Sequence, residues 1–156
     1  MKMVAAAKLK RAQDKVTELR PYSNKLNEIL SNLSDSISNV LFEQRDVKNK
    51  LFIVVASDKG LCGSFNSNIF KLFNSVSENN NDHLDSINIL PIGKKAYDFF
   101  KKKDYNVIDQ FWNTLNGFSY ADASNIFDYV QDEYLNNNID QVHIIYNEFK
   151  NVAVQN

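Results

Sequence analysis

The chain has 156 residues, 44% of them apolar and 24% charged, with a formal net charge of −1, which suits one domain with at most an appendage and suffices for a packed core. No run approaches the ~18 apolar residues that a membrane-spanning helix needs, and residues 1–20 lack the apolar stretch of a secretory signal. The single cysteine, Cys62, rules out an internal disulfide and fits a reducing compartment, and with His83 and His143 scattered no zinc-type ligand set is visible.

Charge is unevenly spread. Residues 1–20 carry Lys2, Lys8, Lys10, Arg11, Lys15 and Arg20 against Asp14 and Glu18, a balance of +4, so −5 falls on the remainder. Such asymmetry suggests an acidic partner for the N-terminal segment, set against the plainer reading of a solvated helix face.

The first forty residues repeat with four-three spacing: Ala5, Leu9, Ala12, Val16, Leu19, Ser23, Leu26, Leu30, Leu33, Ile37 and Val40. Only Ser23 breaks apolarity. This is the heptad seam of a left-handed coiled coil, and it predicts a helical segment over 1–42 roughly 54 Å long across its seam. Pro21 lies off the seam and could kink the helix or open a second segment, but the unbroken phase favours one rod. No second seam of that length occurs in the chain. The rod therefore pairs with another chain, self-associates, or belongs to a longer sequence.

A polar link over 43–50 precedes a globular part, 51–156. The six apolar residues Leu51–Ala56 predict a strand buried on both faces, as in a parallel sheet. A glycine-bearing loop follows, Ser57-Asp58-Lys59-Gly60-Leu61-Cys62-Gly63-Ser64-Phe65-Asn66. Ile69, Phe73 and Val76 then mark a helix, 77–86 a turn region, and 87–92 a second strand that Pro91 should weaken. Gly93 leads into a helix over 94–103, with Ala96, Tyr97 and Phe100 inward. A third strand is expected at 107–112. Ser119 to Asp122 resembles a capping box, opening a helix that should bury Ala123, Ile126, Phe127, Val130 and Tyr134. Asn136–Asn138 ends that helix, 141–149 forms a fourth strand, and 152–155 begins a fifth. Strands alternating with helices predict a three-layer α/β domain with a mainly parallel sheet.

The loop at 57–66 sits where α/β proteins place ligands, but its residues fail each catalytic pattern tried. The phosphate-loop pattern GxxxxGK[ST] fails because Asn88 and Lys95 stand where Gly and Ser or Thr belong. Gly60 and Gly63 supply GxxG, not GxGxxG. Asn68 stands where a thiolate phosphatase needs arginine. Gly60 replaces the second carboxylate that would serve a phosphotransfer reaction at Asp58. No histidine lies near Cys62 in sequence, so a small buried or semi-buried thiol is the better reading than a reactive one. His143 reads as a satisfied core histidine, and Lys101–Lys103 as a solvated helix end rather than an RNA contact.

Four stretches carry a family resemblance: residues 1–13 (Met1-Lys2-Met3-Val4-Ala5-Ala6-Ala7-Lys8-Leu9-Lys10-Arg11-Ala12-Gln13), Arg20-Pro21-Tyr22, the loop Ser57–Asn66, and Tyr146-Asn147-Glu148-Phe149-Lys150. In this order they resemble the gamma subunit of the rotary F-type ATP synthase. The resemblance implies N- and C-terminal helices paired in an antiparallel coiled coil, with a Rossmann-like globular domain between them. It implies a central-stalk rotor that turns inside the alpha/beta hexamer as protons cross the membrane ring and drives the beta subunits through their nucleotide states. It implies a subunit that hydrolyses nothing and needs no cofactor. The implied partners are the alpha and beta subunits, epsilon and the membrane c-ring, with no nucleic acid. The implied place is peripheral, on the cytoplasmic side of a bacterial membrane or the matrix side of a mitochondrial one.

By position, Met1, Lys2, Met3, Lys8 and Arg11 match the part of the helix that faces the beta subunits' acidic lever, and Lys59, Gly60, Leu61, Cys62 and Gly63 match a loop at the collar below it. The family often has arginine at the place of Lys59 and glycine at that of Ser64, both mild departures. The family's first helical turns and its C-terminal helix have no counterpart here, which makes the chain resemble a central fragment. Two other classes stand beside this one. A nucleotide-binding α/β domain using the 58–63 loop should bind nucleotide as an isolated chain, and a coiled-coil adaptor should dimerise through the seam.

Overall fold

A computed structural model describes residues 2–33, 40–42, 45–78 and 86–149. Compactness divides the chain into two units, Met1–Gln44 and Arg45–Asn156. Met1, Ile37 and the expected fifth strand at 152–155 lie outside the described residues, as do the side chains of Lys2, Ala5, Lys8 and Leu33.

The first unit contains a 32-residue helix, α1 (Lys2–Leu33), and a 3-10 turn at Val40–Phe42. Ala, Lys, Leu, Gln and Glu, all strong helix formers, fill most of α1. The helix runs through Pro21 without interruption. Proline there leaves the Thr17 carbonyl without its N–H donor, a cost of ~3 kcal/mol in an ordinary helix interior. The Lys25–Glu28 pair at 2.8 Å offsets a few tenths of that at most, because both side chains are exposed. The rest of the stabilisation has to come from burial of an apolar face, yet the seam residues are open: Leu19 is 63% exposed and Leu30 52%.

The second unit is built on a four-stranded sheet of β1 (Asn49–Val55), β2 (Ser86–Ile92), β3 (Asn106–Val107) and β4 (Gln141–Ile145). The order is β3-β2-β1-β4 and every pairing is parallel. Helices α2 (Phe65–Glu78), α3 (Lys94–Phe100) and α4 (Tyr120–Leu135) alternate with the strands. Right-handed crossovers explain the layering. From β1 through α2 to β2, and through α3 to β3, the chain moves outward one way, so both helices share a face. From β3 the chain returns past β1 to β4, which sends α4 to the other face.

Two cores result. Phe52, Val54 and Ala56 point to one side and pack with Ile69 and Phe73 of α2, Ile89, and Ala96 and Phe100 of α3. Leu51 and Ile53 point to the other side and pack with Leu90, Ile92, Ile126 of α4 and Ile139. A strand apolar on both faces has to be central, and β1 is. The first core is tightened by edge-to-face rings, Phe73 lying 5.2 Å from Phe52, 4.7 Å from Phe100 and 5.5 Å from Tyr105. Each such pair contributes ~0.5–1.5 kcal/mol beyond area burial.

Several expectations are corrected. Pro91 does not weaken the β1–β2 ladder, which runs on through Val54↔Pro91 to Val55↔Ile92. The polar groups of Leu90 and Ile92 turn to β1, whereas those of Ile89 and Pro91 turn to β3. Ile89 accepts there from Ile108 N–H at 2.8 Å, and Pro91 falls beyond the end of β3, where no ladder donor is needed. The third strand is two residues long instead of 107–112. Phe111 and Trp112 leave the sheet and pack on Tyr129 and Tyr97, ring centroids at 5.6 and 5.1 Å. The helix expected over 94–103 stops at Phe100, and the fourth strand stops at Ile145 rather than at 149. The α4 stripe is also rotated from expectation. Ile126 is buried and Tyr129 and Val130 pack against it, but Phe127 is 58% exposed and Ala123 is exposed.

Candidate partner-binding site

The loop after β1 stands at the carboxyl ends of the parallel strands. Ladder pairing persists one residue past β1, with Ala56 N–H donating to Ile92 O at 2.9 Å. That approach brings the end of β1 against Gly93. A Cβ on Gly93 would stand 2.0 Å from the Ala56 carbonyl oxygen, and φ is +96°, so only glycine fits. The chain beyond then holds the loop in place. Lys95 N–H donates to Ser57 O at 3.0 Å, and Lys94 N–H donates to the Asp58 carboxylate at 3.0 Å. Asp58, weighed above as a phosphotransfer residue, thus satisfies a free amide at the start of α3.

From the other side the loop is tied by Asn66 in the first turn of α2. Its Oδ1 accepts from Ser57 N–H at 3.1 Å, and its Nδ2 donates to Ser57 Oγ at 2.9 Å and approaches Cys62 Sγ at 3.2 Å. Ser57 Oγ donates to Lys59 O at 2.6 Å. Asn147 Nδ2 reaches Phe65 O at 2.8 Å, joining the segment after β4 to the helix start. Cys62 is exposed rather than semi-buried.

Ser57, Asp58 and Asn66 are therefore spent on holding the loop, and its outward face presents Lys59 and, at the tip, Leu61. Its side chain is fully exposed, at 109% of the reference, and its backbone has φ +61°. A bulky residue in the left-handed region costs ~1–2 kcal/mol. Gly63 shares that conformation at φ +59°, with open space around it. Lys59, Gly60, Leu61, Cys62 and Gly63 form one contiguous exposed surface.

The other expected contact residues belong to the first unit. On α1, Met3 is 86% exposed and Arg11 is exposed. The seam residues Leu9, Ala12, Val16, Leu19, Leu26 and Leu30 form an exposed stripe on the same helix, and Val40 on the following turn is exposed too.

Two groups away from the loop, Arg45 and Asp140, carry no signal in the sequence, and a third, His143, departs from its expected state. Arg45 clamps the end of α4: Nη1 donates to Tyr134 O at 2.9 Å and to Asn137 Oδ1 at 3.0 Å, and the guanidinium lies 4.2 Å above the Tyr134 ring. Asp140 accepts from Lys48 and Asn49 N–H at 2.9 and 2.7 Å, fixing the start of β1. His143 is half-buried, stacked 5.2 Å from Phe52, and its Nε2 has no hydrogen-bond partner among the described residues, so it is not the satisfied histidine expected. Burial, then the neighbouring Lys50 cation, holds its pKa below the ordinary histidine value. Among the described residues no cluster of three or more acidic, histidine or cysteine side chains could hold a metal ion.

Fold and site together define a parallel-sheet α/β protein whose outward features, a helix seam and a loop tip, are apolar. A family model described as ATP synthase matches residues 1–156. The ATP synthase gamma chain of Chloroherpeton thalassium is 42% identical over 165 residues, taking in 100% of this chain and 54% of that protein. Those of Cytophaga hutchinsonii and Amoebophilus asiaticus are each 41% identical, over 99% of this chain and 55% of theirs. The chain belongs to the ATP synthase gamma-chain family. It spans about half the length of the curated relatives it matches.

Proposed function

We propose that this chain is part of the central-stalk gamma subunit of a proton-translocating ATP synthase. It couples proton flow to ATP synthesis by turning inside the alpha/beta hexamer and is itself non-catalytic. The observation that carries the reading is the α1 seam. A 32-residue helix that leaves Leu9, Val16, Leu19, Leu26 and Leu30 at 36–63% exposure is short of a partner along its length. A second helix in the remaining length of such a subunit supplies that partner as an antiparallel coiled coil. The order β3-β2-β1-β4, with helices on both faces, supports a Rossmann-like three-layer domain as the body attached to the rod.

On this reading Met1, Lys2, Met3, Lys8 and Arg11 meet the acidic lever of the beta subunits, and Lys59–Gly63 meet a neighbouring subunit at the collar. Partners are alpha, beta, epsilon and the c-ring, on the inner face of the coupling membrane. No helix among the described residues is long and apolar enough to cross that membrane. The loop's exposed Leu61 and inward-turned polar groups favour a protein surface over a nucleotide there.

The test replaces Leu19, Leu26 and Leu30 with Asp in the full-length subunit and measures ATP synthesis driven by an imposed proton gradient. The wild-type subunit should support synthesis and the triple variant should lose it. The same triple substitution on exposed α1 positions off the seam, such as Thr17, Asn24 and Asn32, should retain it. Equal synthesis by both sets would remove the seam from the mechanism.

A further inference from the structure

We propose that Lys50 is a docking cation that pairs with a carboxylate on the part of the full-length subunit beyond residue 156, at the open side of the sheet beside β4. The proposal takes from the reading above only that the subunit continues past this chain, so a failed rotor reading leaves it standing.

Lys50 is 6% exposed on β1, on the sheet face that carries Phe52 and Val54. In the parallel register Gln141 of β4 stands opposite Lys50, and His143 stands opposite Phe52 and stacks on it. Three polar side chains therefore share one end of this face, and none is acidic. Lys50 makes no ion pair among the described residues, where the salt bridge is Lys25–Glu28 on α1. His143 Nε2 is sealed from water with no hydrogen-bond partner among them. Burial, and then the Lys50 cation, disfavour a charged imidazole. The acids close in sequence do not answer Lys50. Asp140 is spent on the Lys48 and Asn49 amides at 2.9 and 2.7 Å, and Asp46 is exposed.

The edge of the sheet selects the occupant. In the order β3-β2-β1-β4 the strand β4 is outermost, and its flank is bare, with Ile144 61% and Tyr146 57% exposed. An element laid along that edge covers the end of Lys50 as well, because neighbouring strands are only ~4.8 Å apart and a lysine stem reaches farther. Once covered, the ammonium loses its remaining water, and a carboxylate in the covering element is the group that replaces it. The same carboxylate is an acceptor for an N–H at His143 Nε2. This chain makes up 54% of the Chloroherpeton thalassium relative, which leaves ample length for such an element in a subunit of that size. A small anion from solution fits less well, because it leaves Ile144 and Tyr146 bare.

The test replaces Lys50 with Met in the full-length subunit, which keeps the stem and removes the charge, and follows urea denaturation. If Lys50 is paired, the variant leaves a covered carboxylate alone and its midpoint should fall by roughly 1 M, whereas Lys50→Arg should keep most of it. Each Asp and Glu beyond residue 156 is then changed to Asn or Gln in the Lys50→Met background. One of these changes should restore at least half of the lost midpoint, although the same change alone lowers it, a reversal of sign that marks a pair. Should Lys50→Met not fold, recovery of soluble subunit by the second substitution reads the same pairing. A midpoint that is unchanged or higher for Lys50→Met reveals a cation without a counter-ion and overturns the proposal. Rescue by an acid within residues 1–156, or by none beyond them, overturns it as well.

Discussion

Two glycines with left-handed backbones show how differently one residue type can be constrained. Gly63 has φ +59° with nothing near its absent side chain, whereas Gly93 has φ +96° and the Ala56 carbonyl 2.0 Å from where a Cβ would stand. Gly63→Ala should therefore cost only the conformational term, ~1–2 kcal/mol. Gly93→Ala adds a backbone clash and should cost at least ~3 kcal/mol, because the ends of β1 and β2 have to part. Urea denaturation of the two variants side by side tests this, and equal midpoints would show that the close approach of Ala56 to Gly93 is not required. His143 makes a pH prediction at the same scale. Its folded pKa is depressed, so between the unfolded value near ~6.5 and the lower folded value the unfolded chain binds the extra proton. Stability should fall as pH drops through that window and level off below it. His143→Phe, which keeps the stacking on Phe52, should flatten the slope when denaturation midpoints are compared at pH 7.5 and 5.5.

At the scale of elements, helix ends are held by groups that local sequence reveals unevenly. The N-terminus of α4 is legible, because Ser119 and Asp122 are three residues apart and their reciprocal bonds form as the pattern implies. Both the Ser119 hydroxyl and its amide donate to the Asp122 carboxylate, which lowers its pKa. The C-terminus is closed by Arg45, 89 residues away from Tyr134, a contact that only the completed sheet creates. Arg45→Ala should destabilise the domain by ~1–3 kcal/mol through lost carbonyl and ring contacts, and Arg45→Lys should recover less than half, since a lysine lacks the planar fork. Thermal melts of the three proteins read this directly. The same division explains which strands were legible. β1 and β2 carry continuous apolar runs that make sense only between two layers. Beyond Val107, Phe111 and Trp112 serve packing on helix residues, Phe111 on Tyr129 and Trp112 on Tyr97, and composition alone reads them as strand. The rotation of α4 has the same origin, for Phe127 and Tyr129 are both apolar enough to face inward and the position of the sheet decides. The loop's place after β1 followed from strand, glycine and helix in succession, but the bonds that hold it depend on Lys94 and Lys95 arriving from a later crossover.

For the whole molecule, charge is the property that a partner reads at a distance. The cations of residues 1–20 belong to the first unit and Lys59 to the second, and in the proposed function each set has its own contact with a partner subunit. An exposed pair contributes only ~0.2–1 kcal/mol, and the Debye length at physiological salt is ~8 Å, so single neutralisations should be nearly silent. Removing Lys8, Arg11 and Lys59 together as Gln should show, because the losses of the proposed contacts add. In a full-length subunit this triple variant should reduce ATP-driven proton pumping more than ATP hydrolysis. The deficit relative to wild type should narrow as salt is raised, since screening weakens the wild-type contact too. A control that neutralises Lys101, Lys102 and Lys103, exposed beyond the end of α3, should leave the ratio of pumping to hydrolysis unchanged. If the two triple variants lower that ratio equally, net charge rather than position is responsible, and the proposed contacts of the helix and loop cations fail.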